Sequence, residues 1–158
     1  MGRPWSIPVY WDSLSERVRA ALMADDLNGL TVVDVAALQK SEVLDEDGAL
    51  TEFGRKVGQF GKDMREMARL KLKVWSWQGW RQECPPARNG GKQTSEVVAA
   101  KSMAAAARAA GVKRPAQLFN LGRTGNDEQI AAAMAEPGVV FWRPLDGREK
   151  FIRGKEQP

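Results

Sequence analysis

The sequence predicts a mainly α protein with a small C-terminal β-hairpin, arranged as two small helical modules. Three observations carry that expectation. Residues 13–67 and 95–135 each hold three runs with helix caps and helix-type spacing of apolar residues. Residues 139–153 instead place β-branched and aromatic residues on either side of Asp146-Gly147. Between the helical runs, Pro85-Pro86 and Gly90-Gly91 punctuate residues 84–94, which read as a flexible linker. The expected modules are therefore 1–83 and 95–158.

The first module opens on Trp5, Ile7, Val9, Tyr10 and Trp11, an aromatic stretch expected to pack as an extended arm. Ser13 with Glu16 is a capping-box pattern for a helix to about Ala24, with Leu14, Val18, Ala21 and Leu22 as its apolar stripe. Thr31 with Asp34 opens a second helix through Leu38 and Lys40, and Asp45 to Gly48 form an acidic turn. Thr51 caps a long third helix, where Phe53, Val57, Phe60, Met64 and Met67 share one face. Gly54, Gly58 and Gly61 cost that helix about 1 kcal/mol each against alanine. Their grouping implies either close packing of another backbone or a break near Gly61. From Leu70 to Val74 the apolar period changes to two, which leaves strand and continued helix both open.

In the second module, Thr94-Ser95-Glu96 opens an alanine-rich run ending at Gly111, expected as a helix. Pro115 suits a first helical turn, and residues 116–121 close on Gly122. Asn126 with Gln129 caps a helix to about Ala135. The hairpin follows. Asp146-Gly147 favours a type I′ turn, because both central residues need φ above zero. Pro144 lacks a ladder donor, which puts its strand at or near an edge.

Composition excludes several classes of chemistry. The 158 residues contain no histidine, which removes histidine bases, Ser-His and Cys-His pairs and most zinc sites. The single Cys84 cannot form an internal disulfide and suits a reducing compartment. Neither phosphate-binding glycine spacing is present. The expectation is a protein that is not an enzyme, with no catalytic residues, no cofactor and no metal. No apolar run approaches the roughly 18 residues of a membrane span, and no signal peptide is visible, so a cytoplasmic location without membrane contact is expected. Charge is unevenly spread. The net of +4 divides into −5 for residues 1–50, +6 for residues 51–94 and +3 for residues 95–158. An acidic head with a basic middle and tail suggests one anion-facing side.

Two resemblances sharpen the expectation. Leu14 to Arg17, Leu22, Thr31 to Val35, Ser41-Glu42, Leu44 and Phe53 to Lys56 together resemble the C-terminal domain of the bacterial RNA polymerase alpha subunit, a helix-hairpin-helix relative. That resemblance covers about fifty residues and implies DNA contacts at Arg17, Gly54 and Lys56. Ala20 and Val57 depart from the polar residues of that family, and the acidic loop 45–47 looks inserted. Leu50 to Arg55 also look like the segment after the wing in MarR- or PadR-type regulators. The order of three helices and a hairpin in the second module resembles a winged helix-turn-helix. It implies base or backbone contacts at Arg123 and Asn126, and phosphate contacts from the wing at Arg143, Arg148, Lys150 and Arg153.

Trp75, Trp77 and Trp80 lie among Lys71, Lys73 and Arg81. Such aromatics stack on bases or anchor a core or protein interface. The functional expectation is a small, non-enzymatic nucleic-acid-binding regulator of bacterial or phage type, with DNA ranked ahead of RNA. The alternative is a protein-interaction factor: a phage or mobile-element protein that docks on a host complex such as RNA polymerase, or a virion component. The acidic residues 25–47 and the tryptophan cluster motivate it. Oligomeric state is not legible in the sequence.

Overall fold

A computed structural model describes residues 6–81, 93–145 and 149–154, and the chain divides into two compact units, Met1–Glu66 and Met67–Pro158. The division falls within a helix, well before residues 84–94. Of that expected linker only Gln93 and Thr94 are described, and both lie in a strand.

Unit 1 contains α1 (Ile7–Ser13), α2 (Glu16–Ala24), α3 (Val32–Lys40) and most of α4 (Glu52–Leu70). Trp5 lies outside the described residues, and from Ile7 the aromatic opening is helical rather than extended, with a proline in its first turn, where the missing N–H costs nothing. Tyr10 and Trp11 are buried against Phe53 and Phe60, with ring centroids 5.8 and 6.3 Å apart. Ser13 ends α1, donating its hydroxyl to the Tyr10 carbonyl (2.6 Å), so the cap of α2 moves to Ser15, which accepts from the Val18 N–H (3.3 Å). The box at the start of α3 forms as expected. The Asp34 N–H donates to Thr31 Oγ1 (3.2 Å), and the Thr31 N–H donates to Asp34 Oδ2 (3.0 Å).

The acidic turn is closed by a Leu44–Leu50 bridge and by Asp45 Oδ1, which accepts the N–H groups of Asp47 and Ala49. Helix α4 then runs unbroken past its glycines. A Cβ on Gly54 would meet the Val43 carbonyl, one on Gly58 the Leu22 carbonyl, and one on Gly61 the Trp11 ring. Close packing, not a break, is why three poor helix formers sit in one helix.

Unit 2 overturns the expected fold class. The chain is not mainly α with a small hairpin. It is mixed α/β, with a five-stranded antiparallel sheet. The strands are β1 (Lys73–Trp80), β2 (Gln93–Ala100), β3 (Phe119–Arg123), β4 (Phe141–Pro144) and β5 (Ile152–Arg153), in the order β3-β1-β2-β4-β5. The winged-helix outline for this half falls with it. Residues 94–100 are not the start of an alanine helix but the central strand. Their helix, α5 (Met103–Ala109), begins only after Ser102, whose Oγ accepts the Ala105 N–H (3.2 Å). Residues 116–121 are not helical either: a 3-10 turn at Pro115–Gln117 leads directly into β3. The open choice at residues 70–77 resolves in two parts. Helix α4 ends at Leu70, Lys71 turns the chain at φ 54°, and a strand follows.

The capped helix at Asn126 is present as α6 (Asp127–Ala135). The C-terminal strands pair as expected, Phe141 with Arg153 and Trp142 with Ile152, but β4 also pairs with β2, so they extend a sheet rather than stand as a wing. Because β5 pairs only at residues 141 and 142, Pro144 has a strand neighbour on one side alone. The Asp146-Gly147 turn and Arg148 lie outside the described residues.

The sheet carries a helix on each face. Ala106 of α5 packs with Trp75, Trp77 and Val98. Helix α6 covers the opposite face, where Gln129 Nε2 donates to Ser95 Oγ (3.4 Å). Strand register explains both, since Trp75, Val98 and Glu96 alternate with Ser76, Ser95 and Val97 across the pleat.

Candidate nucleic-acid interface

The residues named from the sequence are mostly occupied within the protein. In unit 1, Arg17 Nη2 pairs with Asp34 Oδ2 (2.8 Å), and Lys56 pairs with Glu52 on the same helix (3.4 Å). The Asp34 carboxyl is held below its ordinary pKa, first by the Thr31 backbone N–H and then by the Thr31 side chain and Arg17. Gly54 is buried, and its N–H donates to Thr51 Oγ1 (3.1 Å) rather than outward.

In unit 2 two of the cations expected on a wing meet α6 and its C-cap instead. Arg143 Nη1 pairs with Glu128 (2.9 Å) and stacks over Phe151, 4.5 Å from its centroid. Arg153 makes a two-pronged pair with Glu136 (2.8 and 2.9 Å), which lowers the pKa of that carboxyl. Lys150 is exposed. Asn126 is the cap of α6, its Oδ1 accepting the Gln129 N–H (3.1 Å). Arg123 is exposed on β3, an edge strand. Trp75 and Trp77 are core residues, Trp75 donating its indole N–H to the Ala100 carbonyl (3.2 Å). Only Trp80 of the three is on the surface, at 67% exposure.

Trp80 leads to a site the sequence did not name. It borders a cleft of about 700 Å³ in unit 2, together with Gln78, Gln117, Leu118 and Phe119. Phe119 is also 67% exposed, and its strand partner is Gln78, two residues before Trp80. Two large aromatic side chains thus stand in solvent at one edge of the sheet. Burying such a side chain is ordinarily worth about 1.5–3 kcal/mol.

At the cleft lies a buried polar group. Glu96 is 6% exposed, next to the apolar run Val97 to Ala100 of its strand, and its carboxylate accepts from Arg81 Nη2 (2.7 Å) and from Thr94 Oγ1 (2.7 Å). Arg81 in turn stacks over Trp142, 5.2 Å from the ring centroid, and its Nε is buried with no partner among the described residues. Gly79 makes the arrangement feasible: a Cβ there would collide with Glu96 Oε2.

The rim is cationic. Lys113 and Arg114 are exposed, and both of their backbone N–H groups donate to Gln117 Oε1 (3.0 and 2.9 Å), which ties them to a residue of the cleft wall. Among the described residues, no carboxylate pairs with Lys113, Arg114 or Arg123. Charge follows the fold division. Unit 1 has eight Lys/Arg and twelve Asp/Glu, a net of −4, whereas unit 2 has sixteen and eight, a net of +8. No helix is long and apolar enough to cross a membrane among the described residues.

The sequence carried weak signals for this site. Gly79 inside a tryptophan-rich run marks a close approach within a strand, and Glu96 beside Val97 and Val98 marks a charge among core residues. Phe119 was hidden because residues 116–121 read as a helix. Comparison with protein families, with curated proteins and with solved structures gives no match.

Proposed function

We propose that this chain is a non-enzymatic nucleic-acid-binding protein whose contacts lie on unit 2, at the edge of the sheet formed by β1 and β3. One observation carries the proposal. Trp80 and Phe119 stand exposed at a cleft whose rim holds cations without carboxylate partners among the described residues, on a unit of net charge +8. Exposed aromatic rings offer stacking faces to unpaired bases, and lysine and arginine neutralise the phosphates between them. That combination favours a single-stranded stretch over an intact duplex, whose bases are not available to stack. Phe119 and Arg123 share β3, and their partners on β1, Gln78 and Trp75, are three residues apart, about 10 Å, so a strand of a few nucleotides spans both.

Fluorescence anisotropy with labelled single-stranded and duplex oligonucleotides, DNA and RNA, tests the proposal. Binding weakens as salt rises, with a log–log slope of about −0.7 per phosphate contacted on a single strand. Trp80→Ala with Phe119→Ala loses about 1–3 kcal/mol per base stacked. No binding to any oligonucleotide at low salt defeats the proposal.

A second reading concerns unit 1. Val32 and Val33, in the first turn of α3, are 86% and 78% exposed on a unit of net charge −4. Adjacent exposed valines in acidic surroundings suit a protein partner with an apolar pocket and a basic margin. With that partner, the chain is a regulator that couples a nucleic acid to a protein complex. Replacing both valines by serine abolishes retention of a nuclease-resistant partner if this is so, and leaves it intact if not.

A further inference from the structure

The cleft beside Trp80 has two chemically different zones, and together they select a ligand. The inner zone is Glu96 with Arg81 and Thr94. Its carboxylate and guanidinium are already paired at 2.7 Å, so the zone has no net charge to offer a phosphate. It still presents hydrogen-bonding capacity, since each carboxylate oxygen has more than one lone-pair site and a guanidinium has five N–H groups. The walls are apolar, with aromatic rings from Trp80 and Phe119 and aliphatic side chains from Leu118 and Val112. The outer zone is the exposed pair Lys113 and Arg114, fixed to the wall through Gln117.

We infer that the cleft takes a single unstacked nucleobase, with its sugar and phosphates left at the cationic rim. This rests on the nucleic-acid reading above. A base matches each zone: a neutral planar ring between aromatic walls, polar edges toward the Glu96–Arg81 pair, and an anionic backbone outside. A bare phosphate or a carboxylate ligand matches only the rim. The volume of about 700 Å³ lies within the roughly 300–1,000 Å³ of small-ligand sites. The buried pair is itself informative, because an apolar pair of similar shape is often no less stable at such a position. Gly79 preserves the arrangement by leaving room for the Glu96 carboxylate against β1.

The test uses the full chain and two hexameric phosphodiester strands: one wholly abasic, the other identical but for a single central base. The base-bearing strand is expected to bind about tenfold or more tightly, with the same salt dependence, and to quench Trp80 fluorescence where the abasic strand does not. Free adenosine or guanosine at millimolar concentration should lower the affinity of the base-bearing strand to that of the abasic strand, and leave binding of the abasic strand unchanged. Val112→Trp, which fills the cleft and leaves Lys113 and Arg114 in place, should reduce the base-bearing strand to the abasic level. Should that variant unfold, the nucleoside competition decides alone. Equal affinity for both strands overturns the base site while the nucleic-acid reading stands. Failure of both strands and of natural oligonucleotides to bind at any salt overturns both.

Discussion

The Arg81–Glu96 pair makes a quantitative demand on unit 2. Its side chains are 20% and 8% exposed, so removing either partner leaves a charge largely out of water. Removing one member of a buried pair costs about 3–5 kcal/mol. The two exposures set the order, and the hydration that Arg81 keeps takes the smaller loss below that range. Arg81→Met strands the more buried charge on Glu96 and also loses the stack on Trp142, so a loss of about 3.5 kcal/mol is expected. Glu96→Gln strands Arg81, a fifth of which remains hydrated, and about 2 kcal/mol is expected. The double variant has no unpaired charge. It loses only hydrogen bonds and stacking, about 3 kcal/mol. The resulting coupling is about 2.5 kcal/mol, at the upper end for residues in direct contact.

Urea denaturation followed by tryptophan fluorescence measures each term, because four of the six tryptophans (Trp75, Trp77, Trp80 and Trp142) lie in unit 2. In thermal melts, Arg81→Met should lower the transition of this unit by roughly 15 °C or more, at about 4–8 °C per kcal/mol for a domain of this size. Losses that add to within about 0.5 kcal/mol would refute the buried-pair reasoning, because independent sites add and coupled ones do not. A Glu96→Gln variant less stable than Arg81→Met would refute the ranking by exposure.

Three further outcomes concern unit 1. Gly61→Ala pushes a methyl into the Trp11 ring and should cost about 1–3 kcal/mol, read as a lower urea midpoint for unit 1 with unit 2 unchanged. Thr31→Ala removes the cap of α3 and should cost about 1 kcal/mol in the same melts; an unchanged midpoint would mean the box contributes nothing. Asp63 is buried, and burial raises its pKa above the ordinary 3.8 against the opposing pull of Gln59 and Lys62. The native state therefore holds this proton more tightly than the unfolded state, so the cost of the carboxylate is absent below pH 3.8 and complete above the raised pKa. Asp63→Asn should raise the urea midpoint at pH 7, with a gain that shrinks toward pH 4; a lowered midpoint at pH 7 would contradict this.

What the sequence revealed depended on whether a signal was local. The caps at Thr31 and Asn126 are satisfied within four residues, and both form where expected. The shared face of Phe53, Val57 and Phe60 is also local, and all three are buried. The grouped glycines of α4 left close backbone packing and a break both open; the fold decides for packing, against the Val43 and Leu22 carbonyls at Gly54 and Gly58 and against the Trp11 ring at Gly61. Strand β2 was lost for a physical reason. A strand buried on both faces has no alternation to read, and Val97 to Ala100 are all buried. Its alanines also continue past Ser102 into α5, so strand and helix look like one alanine-rich run. Without β2, the tryptophans of β1 had no sheet to join and the last two strands seemed to stand alone. The site suffered in turn: Arg143 and Arg153 looked like free wing cations until α6 and its C-cap supplied Glu128 and Glu136.

The charge pattern outlasts that loss and gains meaning from the fold. Cut at residue 50, the chain seemed to have an acidic head and a basic middle. The division at Glu66–Met67 places most of that middle in the sheet unit, so the contrast becomes −4 against +8. A polyanion is therefore attracted by one unit and repelled by the other. Within unit 2, the acidic residues of α6 and its C-cap neutralise cations on one face of the sheet, through Glu128 with Arg143 and Glu136 with Arg153. Glu96 neutralises Arg81 in the cleft. The cations left to meet a ligand include Lys113 and Arg114 at the cleft rim and Arg123 on the edge strand. Reversing Lys113 and Arg114 to glutamate should thus abolish oligonucleotide binding at moderate salt. Reversing Arg143, already paired with Glu128, should weaken it far less; equal losses from both changes would mean that overall charge, not this rim, governs the contact.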